Sequence, residues 1–409
     1  MAFQQGLSGL NAASRNLEVI GNNVANANTA GFKASRAEFA DVYATSVGGS
    51  TANQNGIGVS VSDISQMFQQ GNMKVTNNPL DIAVNGAGFF RMNTQGSVTY
   101  TRSGQFRVDK DGYFANGQGD RLTGFPANQA GLIVQSSIAQ DLKVSTVDIA
   151  PKATSQGEIL GNLDSRQPTL PAAGFNFNDP LTYHNTTTMQ VFDSLGNAHN
   201  LSVYFLRTAA NSWQVYSQSD GAPLNASAPI GIINFTSAGQ IDPATTTLPF
   251  AVSVPVATGA ITPQSITLDF AGTTQFGSSF GVNNVHQDGY TSGRLLGFSI
   301  GSDGVIQGRY SNGQSLAQGQ IVLASFMNPQ GLQPIGNTAW AESSESGQPS
   351  VGTPSQGNRG VINSGSLEES NSDLTAELVN MITAQRAYQA NAQTIKTQDQ
   401  LMQTLINLR

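Results

Sequence analysis

The sequence predicts a multidomain protein of mixed α and β structure, in which long terminal α-helices form a coiled-coil-like domain and the middle of the chain forms antiparallel β-rich domains. Three observations predict this fold class. Apolar residues recur at helical spacing near both ends, Asn-Gly and Asp-Gly turn motifs recur through the middle, and 409 residues are enough for two or three cores.

The first predicted element is an N-terminal helix that carries one apolar stripe. The stripe follows spacings of four and three residues, with Ser14 and Gly21 in its gaps, and consists of Phe3, Leu7, Leu10, Leu17 and Val24. Gly6, Gly9 and Gly21 each cost about 1 kcal/mol relative to alanine inside a helix. We therefore expect this helix to be stable only where other elements cover the stripe.

The last predicted element is a helix over residues 373–407, about 50 Å long. Asn371 or Ser372 can cap its start, and the Asp373 carboxylate favours the positive end of the helix dipole. A seven-residue apolar repeat, interrupted by Gln385 and Asp399, contains Leu374, Leu378, Met381, Tyr388, Ala392, Ile395, Met402 and Ile406. Away from the repeat the helix carries Gln389, Gln393, Gln398, Gln400 and Gln403.

Turn motifs divide the middle of the chain into short predicted strands. Alternating apolar segments flank these turns and predict hairpins, for example 188–192 with 201–206 and 296–300 with 305–310. Stretches rich in Gly, Ser and Asn at 46–58 and 342–365 are typical of linkers. An Ala- and Thr-rich stretch at 223–264 indicates a small, variable outer domain.

The terminal helices are the main indication of function. Fully burying one Leu or Ile is worth roughly 1.5–3 kcal/mol, so the two stripes offset the glycine costs only when both are covered. The two helices could cover each other in a hairpin that closes one monomer, or they could pack against neighbouring chains. The glycines favour folding that is coupled to assembly, which predicts a structural subunit rather than an enzyme.

Composition excludes several other classes of protein. The net charge is −7 and the 19 basic residues are scattered, which argues against a nucleic-acid partner. No apolar run reaches the roughly 20 residues of a membrane span, so we expect no membrane insertion. The first ten residues lack the pattern of a signal peptide, so export would use a route without a cleaved signal.

Candidate catalytic, cofactor and metal sites are equally poorly supported. Cysteine is absent, and the three histidines, His184, His199 and His286, lack the spacing of metal ligands. The glycines after Asn85 and the segment 109–112 are better explained as turns than as nucleotide or calcium loops. Glu158 is the only glutamate between Glu38 and Glu342, which disfavours a glutamate pair for acid–base catalysis. We expect no catalytic residue, no cofactor and no metal.

Both ends of the chain resemble one known family. The segments LSGLNAA (7–13), NLEVIGNNVAN (16–26) and TAGFK (29–33) resemble the opening signature of the bacterial flagellar rod, hook and hook-associated proteins, and residues 377–397 resemble the closing one. Within that family, segments 78–90 and 100–106 resemble an inner β-domain shared with the distal rod. Segment 191–205 resembles the inserted outer domain of the flagellar hook proteins.

The resemblance implies a domain division and an arrangement in layers. We expect a terminal helical domain (1–32 with 366–409), a linker region (33–70 with 357–365), an inner β-domain (71–145 with 286–356) and an inserted outer β-domain (146–285). The terminal helices would line the inside of a tube. Packing there would involve Phe3, Leu7, Leu10, Leu17, Val24, Leu374, Leu378, Met381, Tyr388, Ile395 and Met402.

The resemblance also implies partners and a location. The chain would form a helical homopolymer in the extracellular hook of the flagellum, a curved tube that works as a universal joint. Expected partners are further copies of the chain, the distal rod protein, the hook cap (scaffold) protein, the hook–filament junction protein, the flagellar type III export apparatus and the hook-length control protein. Flexible connections would be needed, and their Gly/Asn composition favours hinges at Gly31, Gly357, Gly360 and Gly365.

Three alternatives remain at this stage. A distal-rod subunit would form a straight, rigid polymer instead of a curved one. A secreted β-rich adhesin or carbohydrate-binding protein has no use for apolar repeats at both ends. A hydrolase needs a convergent polar cleft, which the sequence does not reveal.

Overall fold

The computed structural model describes residues 2–43, 56–128, 130–136, 138–225 and 228–407. Most of the predicted linker 46–58 therefore lies outside the described residues. The chain divides into two compact units, and unit 1 comprises 1–146, 297–309 and 315–409 whereas unit 2 comprises 147–296 and 310–314. The predicted fold class of terminal helices and antiparallel β-rich domains is confirmed.

Two α-helices stand at the ends of the described chain, α1 (Ala2–Ala25) and α2 (Leu374–Asn407). The start of α2 differs from the sequence-based expectation. Asp373 is the residue whose carboxylate accepts hydrogen bonds from the first free backbone N–H groups, those of Thr375 (2.8 Å) and Ala376 (3.2 Å). Asn371 and Ser372 are used instead to bind other parts of unit 1.

The first ten strands along the chain belong to unit 1. They are β1 (Ser35–Val42), β2 (Gly58–Gln66), β3 (Met73–Val75), β4 (Ile82–Asn85), β5 (Phe89–Thr94), β6 (Ser97–Thr101), β7 (Arg107–Val108), β8 (Phe114–Ala115), β9 (Arg121–Pro126) and β10 (Gln140–Asp141).

Unit 2 contains the next ten strands. They are β11 (Gln156–Asp164), β12 (Asn185–Phe192), β13 (Ala198–Ala209), β14 (Ser212–Ser219), β15 (Ala222–Pro223), β16 (Gly231–Asn234), β17 (Phe250–Val254), β18 (Gln264–Asp269), β19 (Thr274–Phe276) and β20 (Gly281–Gln287).

The chain then continues through the strands that complete the large sheet and its neighbours. They are β21 (Leu295–Ile300), β22 (Val305–Tyr310), β23 (Ser315–Ile321), β24 (Leu323–Ser325), β25 (Gln333–Gly336), β26 (Ala339–Ala341), β27 (Ser350–Gly352), β28 (Val361–Ser364) and β29 (Ser366–Glu368). Strands β27 and β28 lie within the stretch 342–365, whose composition is typical of linkers.

The large sheet of unit 1 has the central order β21-β22-β23-β9-β5-β6-β26-β25, with shorter strands attached at its sides. Three two-stranded sheets accompany it: β1 with β2, β4 with β28, and β3 with β29. The last two pairings join strands near the start of the chain to strands just before α2. One core of buried side chains packs between these strands. It includes Ile82, Val84, Phe90, Phe106, Phe114, Leu122, Leu142, Ile321, Leu323 and Ile362.

Unit 2 packs two five-stranded sheets around one core. The predicted hairpin of segments 188–192 and 201–206 is confirmed, because β12 and β13 pair antiparallel. Strand β11 departs from the expected antiparallel pattern, since it pairs in parallel with β18 and β19 and antiparallel with β20. Buried side chains shared by the two sheets include Leu163, Val191, Phe205, Trp213, Val215, Ile266, Leu268 and Phe270.

Candidate assembly surface

The terminal helices pack against each other in antiparallel orientation. A Cβ at Gly6 would lie 3.1 Å from Ile395, and one at Gly9 would lie 2.9 Å from the Asn391 amide. Further along, the Asn23 amide donates a hydrogen bond to the Glu377 carboxylate (2.9 Å). Gly6 and Gly9, which weaken α1 as an isolated helix, therefore allow close approach to α2 within the same chain.

The β1–β2 hairpin covers a second side of α1. The Gln5 amide donates a hydrogen bond to the Gly56 carbonyl, and the Val59 N–H donates one to the Ser8 hydroxyl (3.3 Å). Because α1 contacts both α2 and this hairpin, its buried side chains flank the predicted stripe instead of forming it. The buried positions are Ala12, Ala13, Val19, Ile20 and Asn23.

The stripe predicted on α1 is only partly covered by the described residues of the chain. Phe3 and Leu7 are exposed, and the positions further along are half-buried, namely Leu10, Leu17 and Val24. Gly21, which fills a gap in that stripe, has no heavy atom within 4 Å of the position that a Cβ would occupy. The described part of the chain thus provides a contact reason for Gly6 and Gly9 but none for Gly21.

The predicted repeat on α2 is also only partly covered. Ala384 is buried, and Met381, Asn391 and Ile395 are half-buried on the side of the helix that faces α1. Tyr388 lies on the same side and is 37% exposed. The other predicted positions, Leu374, Leu378 and Met402, are exposed.

Beyond the N-terminal end of α1, α2 continues without a helical partner among the described residues. Gly6 contacts Ile395 and α1 begins at Ala2, so α1 ends about one helical turn further along α2. Met402 and Ile406 follow Ile395 by seven and eleven residues, which places them on the same side of α2. With no part of α1 opposite them, they are 59% and 70% exposed.

A second uncovered set lies on the opposite side of α2. Leu378, Val379 and Ile382 are all exposed near the start of the helix. The helical spacing places Gln389, Gln393 and Gln400 on this same side, and these are exposed as well. Val379 and Ile382 were not predicted from the sequence because they fall outside the seven-residue repeat; their spacing of three residues was the available signal.

Near the C-terminal end of α1 and the start of α2 lies a buried group of charged side chains, which we call the junction cluster. It consists of Lys33, Arg102 and Glu368. The Lys33 Nζ lies 2.5 Å from one Glu368 carboxylate oxygen, and an Arg102 guanidinium nitrogen lies 3.3 Å from the other. All three side chains are almost fully inaccessible to solvent. Burial lowers the pKa of the Lys33 ammonium, and the neighbouring Glu368 carboxylate opposes that shift.

Backbone groups add further hydrogen bonds to the junction cluster, although the buried Arg102 Nε has no hydrogen-bond partner among the described residues. The Lys33 ammonium donates to the Gln69 carbonyl (2.7 Å), and the Gly71 N–H donates to the Glu368 carboxylate (2.9 Å). The Arg102 guanidinium donates to the Gly86 carbonyl (2.8 Å). Lys33 belongs to the TAGFK segment noted in the sequence and Arg102 to the noted segment 100–106, but no local pattern indicated that either would meet Glu368.

Comparison with known proteins identifies the family. Four family models match: "Flagella basal body rod protein" over 3–33, "Flagellar hook protein FlgE/F/G D1 domain" over 83–156, "Flagellar basal body protein FlaE D2 domain" over 162–290, and "Flagellar basal body rod FlgEFG protein C-terminal" over 363–408. The flagellar hook proteins of Escherichia coli (strain K12) and Salmonella typhimurium are 42% and 41% identical to the chain, with both partners covered completely. The chain belongs to the flagellar hook protein family.

A more distant relative agrees with this assignment, and a solved structure shares the fold. The flagellar hook protein of Treponema pallidum is 33% identical over 99% of this chain and 98% of its own length. A crystal structure of a Helicobacter pylori flagellar hook protein shares the fold, with a TM-score of 0.52 at 15% identity, and covers 72% of this chain and 100% of its own. Members of this family are structural proteins of the flagellar hook.

The four glycines predicted as hinges in this hook-family chain have different surroundings. A Cβ at Gly31 would lie 2.4 Å from the Ser103 backbone, and one at Gly360 would lie 2.3 Å from the Asn85 carbonyl. Gly365 donates its N–H to the Asp81 carbonyl (2.8 Å). Gly357 is exposed, has φ +65°, and has no heavy atom within 4 Å of the position that a Cβ would occupy. The hinge role itself stays a prediction.

The remaining polar motifs have structural surroundings. The Asp109 carboxylate accepts hydrogen bonds from the N–H groups of Asp111 and Tyr113, which closes the Asp-Gly turn expected there. His199 lies between the carboxylates of Asp220 (2.6 Å) and Asp193 (3.4 Å). Among the described residues no cluster of metal-binding side chains is present. Nor does either described helix have the length and apolarity needed to cross a membrane.

Proposed function

We propose that the chain polymerises through its terminal helices into the curved, flexible tube of the flagellar hook, which transmits motor torque from rod to filament. The observation that carries this proposal is the uncovered apolar surface at both ends of the chain. Phe3 and Leu7 on α1, and Met402 and Ile406 on α2, are apolar side chains that one copy leaves in water. Neighbouring copies would cover them, which is the usual reason for such a surface.

The composition of the chain supports close packing of many copies. Charged residues make up 11% of the sequence, against about 25% in typical soluble proteins. A surface built mainly from Asn, Gln, Ser and Thr repels identical copies weakly, and its amides and hydroxyls can form hydrogen bonds between them. In this arrangement the Gln-bearing side of α2 faces a central channel, where uncharged side chains do not retain passing chains electrostatically.

The partners and the route of export follow from the same proposal. The chain leaves the cell unfolded through the flagellar type III apparatus and is added at the distal end of the growing hook. It contacts further copies of itself, the distal rod protein, the hook cap protein and the hook–filament junction protein, and it passes the hook-length control system. It has no catalytic role. Apolar stripes at both ends and relatives that are hook proteins support this assignment.

The surroundings of the four glycines reduce the number of candidate hinge positions. Gly31 and Gly360 are packed closely against other backbone, and Gly365 is held by a backbone hydrogen bond. Gly357 has open space around it. We therefore keep the proposal of a flexible connection for Gly357 and the turn that contains it.

Polymerisation is tested with the full-length chain and with a shortened chain that lacks residues 1–30 and 366–409. Sedimentation and negative-stain electron microscopy should show curved tubes for the full-length chain and monomers for the shortened one. Straight, rigid tubes would indicate a rod subunit. A full-length chain that stays monomeric under conditions in which the related hook proteins polymerise would contradict the proposal.

A further inference from the structure

The junction cluster joins three parts of the chain that are far apart in sequence. Lys33 and Glu368 are separated by 335 residues, and Arg102 and Glu368 by 266. Lys33 follows α1, Glu368 precedes α2, and Arg102 directly follows β6 of the large sheet. A single buried carboxylate on the approach to α2 thus contacts both the segment that follows α1 and the β-structure of unit 1.

Two asparagines extend this connection towards the helices. The Asn371 side chain accepts a hydrogen bond from the Ala34 N–H (2.7 Å) and donates one to the Met67 carbonyl (2.6 Å). The Asn23 amide donates to the Ser35 carbonyl (2.8 Å) as well as to Glu377 on α2. Directional hydrogen bonds therefore connect the helix pair to the rest of unit 1 at several positions along the chain.

Stability alone is a poor explanation for burying these charges. Removing two cations and one carboxylate from water is costly, and apolar residues of similar volume often serve a fold equally well. The charged side chains instead restrict how the segments that they join can move relative to one another. The Lys33 ammonium and the Arg102 guanidinium each donate both to Glu368 and to a backbone carbonyl of another segment, so sliding or rotation of one segment against another would separate a buried charge from its partner.

We propose that the junction cluster is a rigid coupling that makes the terminal helix pair and the inner β-strands of unit 1 turn as one body. This inference rests on the proposed function, because a torque-transmitting tube needs its subunits to twist little along the path of the load. The coupling also gives Gly31 a defined role. Its N–H donates to the Glu368 carbonyl (2.8 Å), and its φ of +72° allows the loop to lie against Ser103.

Lys33→Met is the variant that tests the coupling most cleanly. It removes the ion pair and the hydrogen bonds of the Lys33 ammonium but leaves Glu368 paired with Arg102, so it creates no unpaired buried carboxylate. Lys74→Met is the matched control, because Lys74 is 69% exposed and lies 3.7 Å from the exposed carboxylate of the neighbouring Glu369. Each substitution removes the lysine of an ion pair, but only the ion pair of Lys33 is buried.

Two measurements on the full chain decide the question. Hydrogen exchange should be about tenfold or more faster at the Gly31 and Ala34 amides of the Lys33→Met chain, while the amides of β4 and β5 keep their protection. Hooks built from that chain should twist further under a given torque in tethered-bead rotation measurements. The Lys74→Met chain should behave as the unchanged protein in both experiments.

Unchanged exchange at Gly31 and Ala34, or faster exchange without a change in torsional compliance, would overturn the coupling. If Lys33→Met hooks fail to assemble, exchange in the unassembled full-length chain decides. Loss of protection confined to the junction supports the coupling, whereas loss throughout β4 and β5 overturns it because the cluster then acts through general stability. A wild-type chain that forms no polymer would defeat the proposed function, while the exchange comparison would still test the coupling.

Discussion

Replacing Met402 and Ile406 by glutamine should weaken assembly without weakening the folded chain. Glutamine is a good helix former and is close to methionine in length, so α2 should keep its helical stability. Both side chains lie mostly in water in the single chain, and surface substitutions of this kind usually change the free energy of unfolding by no more than about 0.5 kcal/mol. Any large effect must therefore arise in the polymer.

The expected magnitude follows from the exposed fractions. Full burial of a Met or Ile side chain is worth roughly 1.5–3 kcal/mol. With 59% of Met402 and 70% of Ile406 still exposed, covering both in the polymer would contribute roughly 2–4 kcal/mol. At about 1.4 kcal/mol for each factor of ten, losing that contribution should raise the critical concentration for assembly roughly 30- to 700-fold.

The assay is the concentration of unassembled chain that remains at equilibrium with tubes, measured by sedimentation. Thr404→Gln is the control, since Thr404 is an exposed residue on the opposite side of the same helical turn. It should leave the critical concentration close to that of the unchanged chain. A Met402→Gln, Ile406→Gln chain that assembles within a factor of two of the unchanged chain would refute the reasoning, as would a large loss of stability in its unassembled form.

Three further predictions concern pH, export and bending. Burial lowers the pKa of His199, but hydrogen bonds with the Asp220 and Asp193 carboxylates outweigh burial and raise that pKa overall. The charged His199 therefore stabilises unit 2 below the pKa of histidine in the unfolded chain, about 6.5, and this stabilisation is lost as pH rises through the higher pKa of the folded chain. Urea unfolding should show a stability difference between the unchanged chain and His199→Gln that shrinks from pH 6 to pH 9; a difference that grows would contradict this. Lysine at Gln393 and Gln400 should slow export of later subunits by placing charge along the channel, and filament growth at the normal rate would count against a channel position. Proline at Asn358, beside Gly357, should leave hooks assembled but reduce swimming in motility assays, and normal swimming would argue against a flexible connection there.

The repeat patterns predicted the terminal helices well, but they did not predict which sides of those helices the chain itself covers. In α1 the buried side is set by α2 and by the β1–β2 hairpin, which lie against Ala12, Ala13 and Ile20. The apolar stripe of Phe3 and Leu7 remains exposed. An amphipathic pattern records every contact that a helix makes, including those with other copies, so it cannot separate the two kinds of contact.

The junction cluster could not be predicted from the sequence for a different reason. Lys33, Arg102 and Glu368 meet only after β3 pairs with β29 and β4 pairs with β28, because those pairings bring the residues before α2 beside the early strands. No local pattern encodes a contact across 335 residues. The turn chemistry, by contrast, is local, and the Asp109 turn and the β12–β13 hairpin were predictable from a few adjacent residues.

The central claim is that neighbouring copies cover the apolar positions that a single chain leaves in water. The chain contains no cysteine, so Met402→Cys introduces one unique thiol at such a position. Its rate of reaction with a maleimide can be compared in unassembled chains and in tubes, with denatured tubes giving the total thiol. We expect rapid labelling of the unassembled chain and labelling slowed by about tenfold or more in the tube. Equal rates in the two states would contradict the claim.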